Sequence, residues 1–195
     1  MRRRIGFLGG TFDPIHSGHL ILAQQLLERF QLASVIFIPA ATPPHKEGQA
    51  VSSAHHRFEM AKAAIQDNPL FQISDIELRR EGKSYTIDTI GELKKHHPDS
   101  DLFLLGGSDI LTELDTWKDP DKLFQEVKVV IGIRPGYDKI ELDNEFFKKS
   151  ITAEINGLHV SSTQIRHRVR QGKSIKYLVP LKVEEYINAK GLYKE

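Results

Sequence analysis

The chain has 195 residues, enough for one domain with a full hydrophobic core. At 39% hydrophobic and 27% charged it has the make-up of a folded globule. Its 27 Lys and Arg against 26 Asp and Glu leave a net charge of +1, which argues against a protein that coats DNA or RNA. There is no cysteine, which excludes disulfides, thiol nucleophiles, Cys-type zinc sites and iron–sulfur clusters within it and fits a reducing cytosol.

The opening Met1-Arg2-Arg3-Arg4 has the charge of a signal-peptide start. The apolar run behind it meets Gly9, Gly10, Thr11 and Asp13 before a cleavable segment forms. No stretch approaches the roughly 20 apolar residues that span a bilayer, so a cytoplasmic location without a membrane partner is expected. Ile5–Leu8 is the first expected strand. A helix follows from near Ser17, with His19, Leu22, Ala23, Leu26, Leu27 and Phe30 on one face and Gln24, Gln25, Glu28 and Arg29 on the other. Val35–Ile38 is the second strand. Ala41–Ser53, with Pro43, Pro44 and Gly48, reads as a long loop of the kind that binds ligands.

Further on, the pattern predicts a helix over 54–67, a strand at Phe71–Ile76, a helix over 86–96, a strand at Leu102–Leu105, a helix over 119–126 and a strand at Val127–Ile133. Gly136–Ser150 is mixed in charge and reads as an irregular connection. Helices over 162–171 and 181–190 end the chain, the second closed by Gly191. Several strands are continuously apolar, as in strands covered on both faces by helices. The expected fold is therefore α/β, a doubly wound, Rossmann-like parallel sheet with helices on both faces and a small C-terminal helical part. Its ligand belongs at the C-terminal ends of the strands. One domain is expected, 1–160 forming the core and 161–195 the helical part.

Chemistry concentrates at Gly9-Gly10-Thr11-Phe12-Asp13-Pro14-Ile15-His16-Ser17-Gly18-His19-Leu20, between the first strand and first helix. Two glycines after a strand let backbone approach a ligand, and the following helix offers free N–H groups and a positive dipole end to phosphate oxygens. His16 and His19, three apart, can face the same way. A zinc site on this pair lacks a third ligand and the H-E-x-x-H arrangement, so no protein-held metal is expected. In Val160-Ser161-Ser162-Thr163-Gln164-Ile165-Arg166, a Ser or Thr can cap a new helix while Arg166 stands one turn up, an arrangement suited to clamping phosphate or, equally, to a plain capped helix.

Gly9 to Leu20 resembles the nucleotidyltransferase version of the G-x-F-D-P-x-H-x-G-H motif, related at its end to the H-I-G-H motif of class I aminoacyl-tRNA synthetases. Val160 to Arg166 is similar to the second motif of that superfamily, I-S-S-T-x-I-R, with Val160 replacing Ile. Pro43-Pro44-His45-Lys46, His56-Arg57, Ser84 to Thr89, Leu105 to Asp109, Trp117 and Arg134-Pro135-Gly136 narrow the resemblance to the bacterial nicotinate-nucleotide adenylyltransferases, over nearly the whole chain. Asp115 departs from the proline common there.

The resemblance implies transfer of AMP from ATP to nicotinic acid mononucleotide, giving deamido-NAD and pyrophosphate in NAD biosynthesis. By the same resemblance His16, His19 and Arg166 are catalytic, and Gly9, Gly10, Thr11, Phe12, Asp109, Ser162 and Thr163 join them in binding ATP. Lys46, Thr86, Trp117 and Arg134 would hold the acceptor. Mg²⁺ would ride mainly on the ATP phosphates. The resemblance also allows a homodimer. The alternatives are a sister nucleotidyltransferase acting on nicotinamide mononucleotide or phosphopantetheine, and a non-catalytic nucleotide sensor on the same fold, against which the intact histidine pair speaks. From Ile155 to Val183 there is no acid, while Arg166, Arg168, Arg170, Lys173, Lys176 and Lys182 supply cations. With Tyr177 the lone aromatic there, this segment suits a small polyanion such as ATP better than a nucleic acid.

Overall fold

Alternation along the strands builds the molecule. In the computed structural model, which describes residues 2–43, 50–133 and 145–194, Leu8, Phe37, Phe103, Leu105 and Val130 point into one apolar layer. Ile5, Phe7, Ile36, Ile38, Leu102, Leu104, Val129 and Ile131 point into the other. The four strands that supply these residues therefore each feed two cores, which is why their sequences are apolar there.

The strands are β1 (Arg3–Gly10), β2 (Ser34–Pro39), β3 (Phe71–Ile73), β4 (Ser100–Gly107), β5 (Lys128–Ile133) and β6 (Ile151–Glu154). They form one sheet in the order β3-β2-β1-β4-β5-β6, every neighbouring pair parallel. Helix α1 (Ser17–Arg29) and α2 (Ala54–Ile65) bury Leu22, Ala23, Leu26, Met60 and Ala61 in the first layer. Helices α3 (Thr86–His96), α4 (Pro120–Glu126) and α5 (Glu145–Lys149) bury Ile90, Leu93, Leu123 and Phe146 in the second. Helices α6 (Ser162–Arg170) and α7 (Leu181–Lys190) return to the first, where Ile165, Val183 and Ile187 meet the α1 and α2 side chains. After β3 the chain crosses to the far side of β1, so the sheet order reverses between β1 and β4. Their C-terminal ends leave the crevice that such a reversal creates.

The doubly wound α/β architecture is as the sequence implies, with differences at its margins. The strand expected over Phe71–Ile76 ends at Ile73, because the N–H of Ser74 makes the last bond to the β2 side, donating to Phe37 O at 3.0 Å, before the chain turns. The helix expected over 54–67 ends at Ile65. The segment read as irregular over 136–150 contains α5, followed at once by the unforeseen β6, which pairs with β5 from Val130↔Ile151 to Ile133↔Glu154. Both are short, and of the four β6 residues Ala153 alone is buried. No helix among the described residues is long and apolar enough to cross a membrane.

Leu26, fully buried, seats α1 on the sheet. Leu26→Ala will lower unfolding free energy by about 2–5 kcal/mol in urea titration, the range for a large-to-small change in a packed core.

Candidate active site

The first motif leaves β1 and turns into α1. Phe12 adopts φ of +51, uncommon for a bulky side chain, and is over-determined by packing: its ring lies edge-on to His19 at 5.1 Å and 6.1 Å from Phe37. The Asp13–Pro14 peptide is cis. His16 is the extended N-cap of α1, with φ −145 and ψ 169, and its backbone N–H donates to Nδ1 of His19 at 3.2 Å. A nitrogen that accepts carries no proton. The neutral imidazole of His19 therefore bears its proton on Nε2, which makes that nitrogen a donor. The two histidine rings stack with centroids 3.7 Å apart and planes 20° from parallel. A Cβ at Gly18 would stand 3.1 Å from Nδ1 of His16, close enough to press the His16 ring by a few tenths of an ångström.

The second motif is tied to the first across the fold. Ser161 is the cap of α6, its hydroxyl accepting from the Gln164 N–H at 3.1 Å. Ser162 instead donates to Pro14 O at 2.9 Å, and Arg166 donates to Asp13 O at 2.7 Å and to Thr163 Oγ1 at 3.2 Å. The guanidinium thus braces the first-motif turn.

Beneath that turn lies Arg57, 1% exposed. It donates to the carbonyls of Thr11 (2.8 Å), Ala40 (2.5 Å), Ala41 (3.0 Å) and Ser52 (2.9 Å). Burial pulls its pKa below the usual arginine value, opposed by the nearby Asp13 carboxylate. Sequence reasoning treated Arg57 as a landmark alone. The signal was available, since Arg57 occupies the same helical stripe as Met60, Ala61 and Ile65. A charge on a buried stripe has to be paired or hydrogen-bonded.

A cavity of about 700 Å³ opens at the β1/β4 crevice. Gly9, Gly10, Thr11, Phe12, His16 and His19 line it, together with Asp109, Ser162 and Thr163. A Cβ on Gly9 would meet nothing within 4 Å, so backbone there is open to a ligand. Thr86 and Trp117 also line the cavity. Arg166 is not part of the wall, and Lys46 and Arg134 fall outside the described residues.

Trp117 packs against the second apolar layer while facing the cavity, and its buried indole nitrogen has no acceptor among the described residues. Asp88, in the first turn of α3, pairs with Lys118 Nζ at 3.2 Å, and that ammonium lies 4.9 Å from the centre of the Tyr85 ring. Ser84, Glu77 and Lys118 are wall residues the sequence reading did not assign. Ser84 Oγ accepts from the N–H groups of Ala41 and Thr42 at 3.0 and 3.2 Å, clamping the start of the Pro-rich loop. The Glu77 carboxyl accepts from Thr89 Oγ1 at 2.7 Å, and Arg80 links Thr89 (3.0 Å) to Glu92 (2.7 Å). Burial pushes the Glu77 pKa above the usual carboxylate range, with Thr89, Ser84 and Arg80 working against it. Among the described residues no group of three His, Asp or Glu side chains could hold a metal.

The Cytidylyltransferase-like family model matches residues 7–168. A protein of Desulfitobacterium hafniense (strain Y51), named "Probable nicotinate-nucleotide adenylyltransferase", is 42% identical over 199 residues, covering 98% of this chain and 96% of its own. This chain belongs to that family. A protein of the same name from Halalkalibacterium halodurans is 48% identical over 193 residues, covering 98% and 92% of the two chains. Among solved structures, Plasmodium falciparum nicotinic acid mononucleotide adenylyltransferase complexed with NaAD superposes with a TM-score of 0.81 at 21% identity, over 98% of this chain and 97% of that one. At that identity the superposition establishes the shared fold.

Two outcomes follow from the buried charges. Arg57→Leu leaves four carbonyls without their donor and will cost more than about 3 kcal/mol of unfolding free energy in urea titration. For Glu77, a folded pKa above the unfolded one means that the native state holds the extra proton. Stability therefore falls as pH rises from the unfolded pKa through the folded one. Glu77→Gln keeps the acceptor for Thr89 and will flatten that part of a stability-versus-pH curve measured by thermal melting.

Proposed function

We propose that the chain transfers AMP from ATP to nicotinic acid mononucleotide, releasing pyrophosphate and forming deamido-NAD for NAD biosynthesis. The observation that carries this reading is the fixed tautomer of His19: with Nδ1 engaged by the His16 N–H, its donor nitrogen belongs to a side chain that lines the same cavity as the open Gly9 backbone and the first-turn residues Ser162 and Thr163 of α6. These are the groups an in-line displacement at an α-phosphate needs. An oxygen of the acceptor phosphate attacks the α-phosphorus, the new P–O bond forms, and the bond to the β-phosphate oxygen breaks with its electron pair leaving on pyrophosphate. The nucleophile is already an anion, so no covalent enzyme intermediate and no general base are required.

In this reading His19 and His16 meet the charge that grows on the α-phosphate and leaving group. Ser162 and Thr163 present their first-turn N–H groups, and Thr163 its hydroxyl, to the triphosphate, Asp109 contacts ribose or phosphate, and Arg166 holds the loop and contributes its charge. Trp117 offers an indole face to the pyridine ring beside Thr86. Lys46 and Arg134 would complete the acceptor site. Mg²⁺ suits a site where the described residues hold no carboxylate cage, because it keeps several waters and is bound mainly through substrate phosphates; when bound it would neutralise charge on the triphosphate. The acid-free segment from Ile155 to Val183 adds positive potential around the same phosphates.

Steady-state pyrophosphate release with ATP, Mg²⁺ and an acceptor panel tests the assignment. Turnover will be greatest in kcat/KM with nicotinic acid mononucleotide; a higher value with nicotinamide mononucleotide or phosphopantetheine would assign the chain to a sister activity. His19→Ala will lose roughly 10²–10³-fold in kcat, the scale for removing one transition-state donor, with little change in melting temperature.

A further inference from the structure

Asp13 lies inside the first motif, yet it is not part of the cavity wall and is 2% exposed. Both carboxylate oxygens are engaged by distant parts of the chain. Oδ2 accepts the backbone N–H of Ser52 at 3.3 Å, and Oδ1 accepts the phenol of Tyr193 at 2.6 Å across 180 residues of sequence. Ser52 O in turn receives the Arg57 guanidinium at 2.9 Å.

The chain end is shaped to deliver that phenol. α7 closes on Gly191 at φ +62, with the Leu192 N–H donating to Ile187 O at 3.0 Å. Tyr193 then takes φ of +64, a backbone conformation that a bulky L residue rarely adopts. Such a conformation persists where surrounding contacts over-determine it, and it clusters at functional sites. Here the contacts are Asp13 and Met60, whose sulfur lies 3.9 Å from the phenol oxygen.

We propose that Tyr193 is a positioning residue for adenylyl transfer. By holding the Asp13 carboxylate while Arg166 holds the Asp13 carbonyl, it fixes the Thr11–His16 turn, and it couples that turn through Ser52 to the end of the Pro-rich loop. The C-terminal tail is thus part of the active-site scaffold. Misplacing catalytic groups by about 1 Å is enough to cost around 100-fold in rate, so the tether can matter without touching substrate. The inference rests on the activity proposed above.

Tyr193→Phe keeps the ring and removes the hydroxyl. In the full-length protein kcat will fall about tenfold, with KM for both substrates within about twofold, as expected when orientation and not binding is lost. Folded fraction at assay temperature, read from thermal melts, will be unchanged. Amide hydrogen exchange without substrates will rise in peptides covering 11–16 and 50–53. Adding Asp13→Ala to Tyr193→Phe will lower kcat no further than Asp13→Ala alone, because without the carboxylate the phenol has nothing left to hold. Wild-type kcat in Tyr193→Phe, a loss that merely tracks the unfolded fraction, unchanged exchange in both peptides, or additive losses would each overturn the proposal. Failure of the wild type to turn over nicotinic acid mononucleotide would instead overturn the proposed reaction, and the exchange measurement would still decide the tether.

Discussion

A single buried guanidinium holds the active-site loops in register. Arg57 rises from α2 into the space where three pieces of chain meet: the turn after β1, the exit from β2 and the approach to α2 itself. Each piece ends its regular structure there with carbonyls facing inward, which would be costly to bury without donors. One fork-shaped side chain supplies bonds to four of them, a geometry that the ammonium of lysine could not reproduce. The arrangement pins the glycine-bearing turn to the sheet and leaves its outer backbone open to the cavity.

Around that anchor, the groups proposed to bind and to catalyse are positioned by bonds among themselves. His19 is oriented by the N-cap N–H of His16 and by Phe12, while Ser162 and Arg166 reach from α6 to the carbonyls of Pro14 and Asp13. These contacts preorganise donors before any nucleotide arrives. Preorganisation is where electrostatic catalysis gains its effect, since little has to reorient as charge develops. It also explains why polar groups near the cavity, such as Asp13, Ser84 and Glu77, spend their hydrogen bonds on the protein.

Local pattern and topology divide the explanation between them. Continuous apolar runs at Ile5–Leu8, Val35–Ile38 and Leu102–Leu105 announced buried parallel strands, because strands covered on both faces leave a dense apolar signal. Ile151–Glu154 and Glu145–Lys149 carried too few buried residues to register against the charged background. Arg57 was legible as a charge on an apolar helical stripe, although its partners were not. Trp117, which the resemblance places at the acceptor, packs on the second layer and also lines the cavity.

The sequence alone determined the α/β alternation, the placement of the glycine turn ahead of α1, the spacing that lets His16 and His19 face one way, and the family resemblance. These depend on residue type and separation within a few turns of chain, where propensity and periodicity act directly. The tertiary structure decided which nitrogen of His19 carries the proton, that Ser161 and not its neighbours caps α6, that Arg166 braces the turn from behind, and that Tyr193 reaches Asp13. Those are hydrogen bonds set by close positions in space, and two of them, Arg166 to Asp13 and Tyr193 to Asp13, join residues more than a hundred apart in sequence. Their geometry exists only after the sheet has fixed where each loop ends.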